Sequence, residues 1–333
     1  MTIALALDPG YGGTKVYGAS GGLNIPSAAS YGDGRLVQRV VGLRSVRPPL
    51  RIETTTGAFY VGEGAHDWGR PVENLDLNRL VGAPEMRALF LGAMTLYGAG
   101  LEPITLIVGL PIAALMGEEA EAVKNDVRAF LKGAHSWSAD GALCSMTVEE
   151  VLITSQPVGA MFDYLLTPEG SMTVVRKAAF QNEIAVLSIG MNTVDLLVVR
   201  NGAPVQRFTG GDMMGVRRLL ELVPCRGSYS LAELDAQLRL GQLDIRSVLP
   251  IWQSEVMGLI ERHWGREWHR FRCVVIVGGG AILLRRPLLE RFKDKAFIPD
   301  DPLIATARGL YKFALMRGRR TGKHGETGEA SES

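Results

Sequence analysis

The residues best suited to chemistry stand near the start of the chain. Asp8-Pro9-Gly10-Tyr11-Gly12-Gly13-Thr14-Lys15 brings a carboxylate, a run of glycines, a hydroxyl and a cation into one short string. A phosphate needs several backbone N–H groups aimed at one point plus a positive charge, and glycine permits both the turn angles and the close approach. The same string also reads as a plain hairpin turn whose glycines only satisfy geometry. It is neither G-x-x-x-x-G-K-[ST] nor G-x-G-x-x-G. Two further turns carry similar residues: Ser188-Ile189-Gly190-Met191-Asn192-Thr193-Val194-Asp195 and Gly278-Gly279-Gly280-Ala281. Each alone is accounted for by backbone capping or a strand end. Three glycine turns at the ends of buried strands, in two halves of like pattern, suggest one nucleotide gripped between two domains.

The elements that must position these turns follow from periodicity. Ile3–Leu7 and Thr14–Tyr17 flank the first turn and predict a β-hairpin; Glu183–Leu187 and Thr193–Val199 predict a second hairpin around the second turn. Repetition of the pattern suggests two like-folded halves. Short strands are expected at Leu36–Val41, Arg51–Glu53 and Phe59–Val61, and buried strands at Ile104–Val108, Val148–Ile153 and Val274–Val277. Met86, Leu89, Phe90, Ala93, Met94 and Tyr97 form a helical stripe over 84–97, and a second helix is expected over 117–132, with acids first and Lys132 last. Gln156-Pro157 opens a helix toward Leu166 after the strand at 148–153. Trp252, Val256, Leu259, Ile260, His263 and Trp264 mark another helix, so that His263, Trp264, Trp268 and His269 read as packing rather than a metal or nucleic-acid contact. From Arg317 onward Ala330 is the sole hydrophobic residue, and a disordered tail is expected over 319–333.

With 333 residues, 47% hydrophobic and 21% charged, the chain has the balance of a globular protein and the length of two domains. Lys plus Arg number 36 against 35 acids, so no global field holds it on nucleic acid or an anionic membrane. Cys144, Cys225 and Cys273 lack ligand spacing and fit a reducing, cytoplasmic setting. Asp8 interrupts the apolar start without a basic n-region before it, which reads against a signal peptide. The apolar stretches at 88–99 and 104–115 fall short of the roughly 20 residues that span a bilayer.

At this point the sequence resembles the actin superfamily, and within it the bacterial and archaeal actin-like proteins of the ParM/StbA type. Residues 4–15 resemble the first phosphate motif, Val186–Asp195 the second, Val275–Ala281 the adenosine motif, Val108-Gly109-Leu110-Pro111 a strand end common in the group, and Pro302–Tyr311 its closing helix. The resemblance implies an α/β fold: an actin-like ATPase of two ribonuclease-H-like domains with a nucleotide cleft between them. It divides the chain into 1–157 with 305–318 and 158–304. It further implies ATP or ADP with Mg²⁺ in the cleft. Gly12, Gly13, Thr14 and Lys15 then hold the β- and γ-phosphates, with Lys15 as the point charge, and Gly10 and Tyr11 of the same loop bind the nucleotide. Asp8 orients water around the metal and Gln156 positions the attacking water. Gly190, Met191, Asn192 and Thr193 wrap the phosphates from the other side, with Ser188 and Asp195 of the same motif also counted as nucleotide-binding, and Gly278, Gly279, Gly280 and Ala281 face the adenosine. Gly211 and Arg217 are candidates for the ribose and base. The use implied is filament assembly, with partition of plasmid or other DNA through a DNA-binding adaptor and no direct grip on DNA.

One position departs from the pattern: the second motif usually begins with Asp where this chain has Ser188. A hydroxyl carries no charge, so metal binding should weaken or hydrolysis slow, and changes around metal ligands commonly cost about 10–100-fold. Two other readings stay open, a small-molecule kinase of the same superfamily and an ATP-binding scaffold poor in hydrolysis. Arg44, Arg47 and Arg51 around Pro48-Pro49 read as a solvated loop, with a filament contact as the alternative.

Overall fold

Alternation along two short strands decides the layering. In Ile3–Pro9, Leu5 and Leu7 join one apolar cluster while Ala6, between them, packs with Ile107 and Leu310 in another. In Ile184–Ile189, Ala185, Leu187 and Ile189 face one core and Ile184 and Val186 a second. Strands buried on both faces need helices on both faces. The computed structural model describes residues 2–32, 42, 44, 46–74, 77–98, 100 and 102–326.

The first sheet comprises β1 (Ile3–Pro9), β2 (Gly13–Gly18), β3 (Gly21–Pro26), β4 (Ala29–Tyr31), β5 (Leu50–Thr54), β6 (Gly57–Val61), β7 (Ile104–Leu110), β8 (Gly133–Ala139) and β9 (Ala142–Ser155), in the order β3-β2-β1-β7-β9-β8-β5-β6-β4. The second comprises β10 (Ile184–Ile189), β11 (Val194–Arg200), β12 (Ala203–Pro204), β13 (Gly210–Asp212), β14 (Cys273–Val277) and β15 (Ala296–Phe297), in the order β12-β11-β10-β14-β15 with β13 beside β11. The two repeat one plan. β1 pairs antiparallel with β2 and parallel with β7, as β10 pairs antiparallel with β11 and parallel with β14. The α/β class, the two hairpins and their repetition are as the sequence predicts.

The helices are α1 (Pro84–Tyr97), α2 (Ala120–Leu131), α3 (Gln156–Leu165), α4 (Val174–Phe180), α5 (Val216–Leu222), α6 (Leu231–Arg239), α7 (Leu249–Trp264), α8 (Gly279–Leu283), α9 (Arg285–Phe292) and α10 (Ala305–Glu326). Residues of α1 and α2 cover the outer face of the first sheet, and those of α5, α7 and α9 the outer face of the second. Between the sheets lie α3 and α10, α3 packed on β10, β11 and β14 and α10 on β1, β2 and β7. Trp252 and Trp264 of α7 are fully buried in the second core, the packing role expected of that aromatic stretch.

Several boundaries differ from expectation. Helix α2 begins at Ala120 rather than 117, because Gly117 is left-handed with φ 79° and makes a turn. The strand at 148–153 is the end of the longer β9, and its hairpin partner β8 follows from Asp140-Gly141, both at positive φ (50° and 86°), the pair a two-residue type I′ turn demands. The glycine turn after β14 runs straight into α8. Helix α10 continues to Glu326, past residue 319 where the disordered tail was expected to begin, since a nucleated helix gains one hydrogen bond per added residue. Residues 327–333 and the strand expected at 36–41 lie outside the described residues. Arg44 and Arg47 are exposed, whereas Arg51 lies on β5 beside Glu53.

The crossing of α3 and α10 is backbone-close. A Cβ on Gly309 would lie 1.9 Å from the Gly159 carbonyl oxygen and 2.5 Å from the Asp163 nitrogen. Exposed helical glycines generally gain up to about 1 kcal/mol on replacement by alanine. Gly309→Ala should do the opposite and cost about 2 kcal/mol or more through overpacking, whereas Gly318→Ala, at an exposed site with open space around it, should leave stability unchanged or improved. Urea unfolding of both variants checks the contrast, and a stabilised Gly309→Ala protein would contradict the close crossing.

Candidate functional site

The C-terminal ends of the central parallel strands and the two hairpin tips open on a single cavity of about 470 Å³ between the sheets. From the first hairpin come Asp8, Gly10, Tyr11, Gly12, Gly13 and Lys15; from the second, Ser188, Gly190, Met191, Asn192 and Thr193; from the turn after β14, Gly278 and Gly279. Gln156, the first residue of α3, adds to the polar lining. Leu238, Ile282, Leu283 and Leu303 supply apolar surface to the same cavity. A cation, backbone turns and aliphatic walls in one cavity suit a ligand that carries both a charged group and an apolar part.

The turns are held by backbone geometry. Gly190 N–H donates to the Thr193 carbonyl at 2.9 Å, closing the second hairpin. The carbonyls of Gly190 and Met191 accept from Val216 (3.0 Å) and Arg217 (2.7 Å), so this loop also caps the start of α5. Gly278 has φ 92°, and a Cβ there would stand 2.3 Å from the Ile189 carbonyl oxygen, a position only glycine can hold.

The charged groups form a chain. Lys15 Nζ donates to Asp8 Oδ2 at 3.0 Å, and Gln156 Nε2 donates to Asp8 Oδ1 at 2.7 Å. Asp8 is thus fixed from both sides, with Gln156 oriented by it rather than by solvent. Ser188 is buried and stands directly opposite Asp195 in the β10–β11 ladder. Asp195 is 1% exposed; burial pushes its carboxyl up from the ordinary 3.8 to about 6, with the Thr193 hydroxyl, 3.0 Å from Oδ2, and the Ile112 backbone pulling the other way. Contacts across the cleft include Arg239 Nη2 of α6, which donates to the Gly12 carbonyl at 2.7 Å, and Glu73, which accepts from the Leu231 backbone N–H at the start of α6 and pairs with Arg226 at 3.9 Å.

Six residues expected at the site do not line the cavity. Thr14 points to the opposite face of β2 from Lys15, as period-2 alternation requires, and its hydroxyl lies 2.9 Å from Ser27 Oγ. Asp195 and Gly211 are packed against each other, with a Cβ on Gly211 only 2.8 Å from Asp195 Oδ1. Gly280 and Ala281 are buried in the first turn of α8, Gly280 against Ile189 and Trp252. Arg217 is paired with Glu221 at 3.2 Å and lines a neighbouring cavity instead. Conversely, Asn24, Asp235 and Arg239 line the cleft without having been expected there. The one available signal was the Ser230-x-x-Glu233 capping box, which starts α6 and so sets the position of Asp235 and Arg239.

Among the described residues no cluster of three or more His, Cys, Asp or Glu side chains could hold a metal ion, and no helix is long and apolar enough to cross a membrane. Asp8 is the carboxylate nearest the glycine loop. It fits a Mg²⁺ held chiefly by water and ligand oxygens, the usual habit of that ion, rather than an all-protein cage.

Residues 6–159 match the family described as actin like proteins N terminal domain. Among solved structures the chain is similar to a ParM protein seen in a 15-stranded filament from Clostridium botulinum (18% identity, 94% of this chain and 98% of that chain covered, TM-score 0.72). It is also similar to the actin-like protein Alp7A (16% identity, 99% and 100% covered, TM-score 0.72). A third is Ta0583, an archaeal actin homolog solved in complex with ADP (19% identity, 94% and 99% covered, TM-score 0.65). A comparison with curated proteins gives no match. The chain has the actin-like fold expected from the sequence, and the family match covers its residues 6–159.

The raised value of Asp195 has a definite sign. The folded protein holds this proton more tightly than the unfolded chain, so the stability linked to Asp195 is fully present below about pH 4 and is lost as pH rises through about 6. Asp195→Asn removes the titration while keeping a Thr193 acceptor. The stability of Asp195→Asn relative to the parent should therefore grow by roughly 3 kcal/mol between about pH 4 and pH 7. Urea unfolding across that range checks it, and a pH-independent difference would mean the carboxyl is ionised throughout.

Proposed function

We propose that this chain, whose actin-like fold is the premise, binds ATP or ADP with Mg²⁺ in the cleft between its sheets and assembles head to tail into filaments. The observation that carries the reading is the convergence of the two hairpin tips and the Gly278 turn on one cavity whose polar lining includes Lys15, Asp8 and Gln156. An ADP complex of one similar structure and the filament of another support it. Residues 1–157 with 305–318 form one domain and 158–304 the other in this proposal, with 319–333 a tail outside both.

The backbone of Gly10–Gly13 and of Gly190–Thr193 faces the phosphates from opposite sides, with Lys15 as the point charge. Lys15 Nζ donates to Asp8 at 3.0 Å, so a phosphate that took over the ammonium would free this carboxylate for the water shell of a Mg²⁺. Mg²⁺, when bound, neutralises charge on the phosphate oxygens. Gln156 is uncharged and orients water rather than abstracting its proton, leaving hydrolysis to positioning and electrostatics. Closure of the cleft presents the surfaces that repeat along a filament, since a head-to-tail contact that does not close on itself propagates. A cytoplasmic setting and use in segregating plasmid or other DNA through a DNA-binding adaptor complete the proposal. Ser188 favours one variant of it, a filament or scaffold that binds ATP and hydrolyses it slowly.

Right-angle light scattering at micromolar protein should rise after a lag with Mg-ATP and stay flat with Mg-ADP; a flat trace with ATP demonstrably bound would remove the filament. Restoring the carboxylate by Ser188→Asp should raise phosphate release by about 10–100-fold at saturating Mg²⁺. An unchanged rate would show that Ser188 is not what limits turnover.

A further inference from the structure

A second cavity of about 320 Å³ adjoins the cleft, and Tyr11, Gly12, Met191 and Arg239 line both. Its wall contains Arg79, which is 6% exposed. The guanidinium lies 4.0 Å from the centre of the Tyr11 ring, and Nη1 donates to the Asn74 carbonyl at 3.0 Å. Nε and Nη2 have no hydrogen-bond partner among the described residues and are closed off from bulk water. The neighbouring acid, Glu85, accepts from Asn74 at 2.9 Å and forms no ion pair with Arg79. Burial pushes this guanidinium below its ordinary value, against the pull of Tyr11 and Glu85.

Nε and Nη2 form the edge of a guanidinium that grips two oxygens at once. Elsewhere in this chain the same edge is filled by a carboxylate: Arg308 on Asp163 at 2.7 and 2.6 Å, and Arg218 on Glu255 at 2.9 and 2.7 Å. Leaving that fork empty inside the protein is costly, and an anion entering the cavity relieves the cost. The wall shared with the cleft includes Tyr11 and Gly12 of the glycine loop, so on the nucleotide reading the anion brought nearest Arg79 is a phosphate. Because Tyr11 belongs to that loop and covers Arg79, a shift of the loop uncovers the fork. We propose that Arg79 anchors a phosphate-binding site in this second cavity, one that takes a phosphate oxyanion at the terminal end of the nucleotide cleft. The occupant is either the terminal phosphate of a bound nucleotide or free inorganic phosphate. The identity of the anion rests on the nucleotide reading above; the empty fork does not.

The test is titration of the Mg-ADP-loaded full chain with inorganic phosphate, followed by phosphorus NMR, for the parent, Arg79→Lys and Arg79→Met. Phosphate should bind the parent, about tenfold or more weakly Arg79→Met, and with an intermediate loss Arg79→Lys, which keeps the charge without the fork. ADP affinity should stay unchanged in both, which also shows that each is folded. Displacement of phosphate by excess ATP but not ADP identifies the attached terminal phosphate as the occupant; displacement by neither identifies free phosphate. If ADP binds and phosphate does not, or binds all three proteins equally, the Arg79 site is overturned while the nucleotide reading stands. If ADP fails to bind yet phosphate binding still depends on Arg79, the nucleotide reading falls and the phosphate site remains.

Discussion

The two sheets are held apart and aligned by the crossing of α3 and α10. Small residues bring the backbones together at Gly159 and Gly309, and next to that contact Asp163 of α3 accepts from Arg308 through both oxygens and from Lys312 at 2.7 Å. Asp163 and Lys312 are buried, and removing one member of such a group leaves an uncompensated charge at a cost of about 3–5 kcal/mol. Geometry and charge thus agree on a single register between the helices. The same two helices open onto the cleft, since Gln156 begins α3 and Thr306 lies in the first turn of α10. Any rotation of one sheet against the other about this crossing moves Gln156 with respect to Asp8, whose hydrogen bond spans 148 residues of sequence.

Charge is divided unequally between the tips of the two like hairpins. The first hairpin carries Asp8 and Lys15 as partners 3.0 Å apart. At the equivalent tip of the second stand Ser188, Met191 and Asn192, and the one acid nearby, Asp195, is turned away from the cavity against Gly211 and the Ile112 backbone. The second hairpin tip therefore lines the cavity with neutral groups, while its half places Asp235 and Arg239 there from α6. A Ser at 188 is compatible with this division: a second carboxylate directly opposite Asp195 would add like charge where burial already holds one carboxyl up near 6.

Much of this was legible in the sequence because it is local. The two hairpins announce themselves by apolar runs around glycine turns, and their repetition implies the two-sheet plan. Other local signals were available and unread: Asp140-Gly141 turns β8 into β9, and Asn201-Gly202, at φ 51° and 77°, turns β11 into β12. Alternation in β2 already separates Thr14 from Lys15. The remainder was not local. That Gly280 packs on Trp252, that Arg239 reaches Gly12 across 227 residues, and that Arg79 ends beneath Tyr11 all depend on how the sheets meet.

Those non-local contacts share one feature: they converge on the Gly10–Gly13 loop. Arg239 holds its carbonyl, Met191 packs within 2.9 Å of where a Gly12 Cβ would stand, Ser27 Oγ donates to the Gly10 carbonyl at 2.6 Å, and Arg79 lies on the Tyr11 ring. Glycine lets the loop approach so many neighbours, and the neighbours remove the freedom glycine brings. Held at its Gly10 and Gly12 carbonyls, the loop has a defined path along the wall of the cavity. Any shift of the loop must therefore also move Arg239 of α6 and Tyr11 over the second cavity.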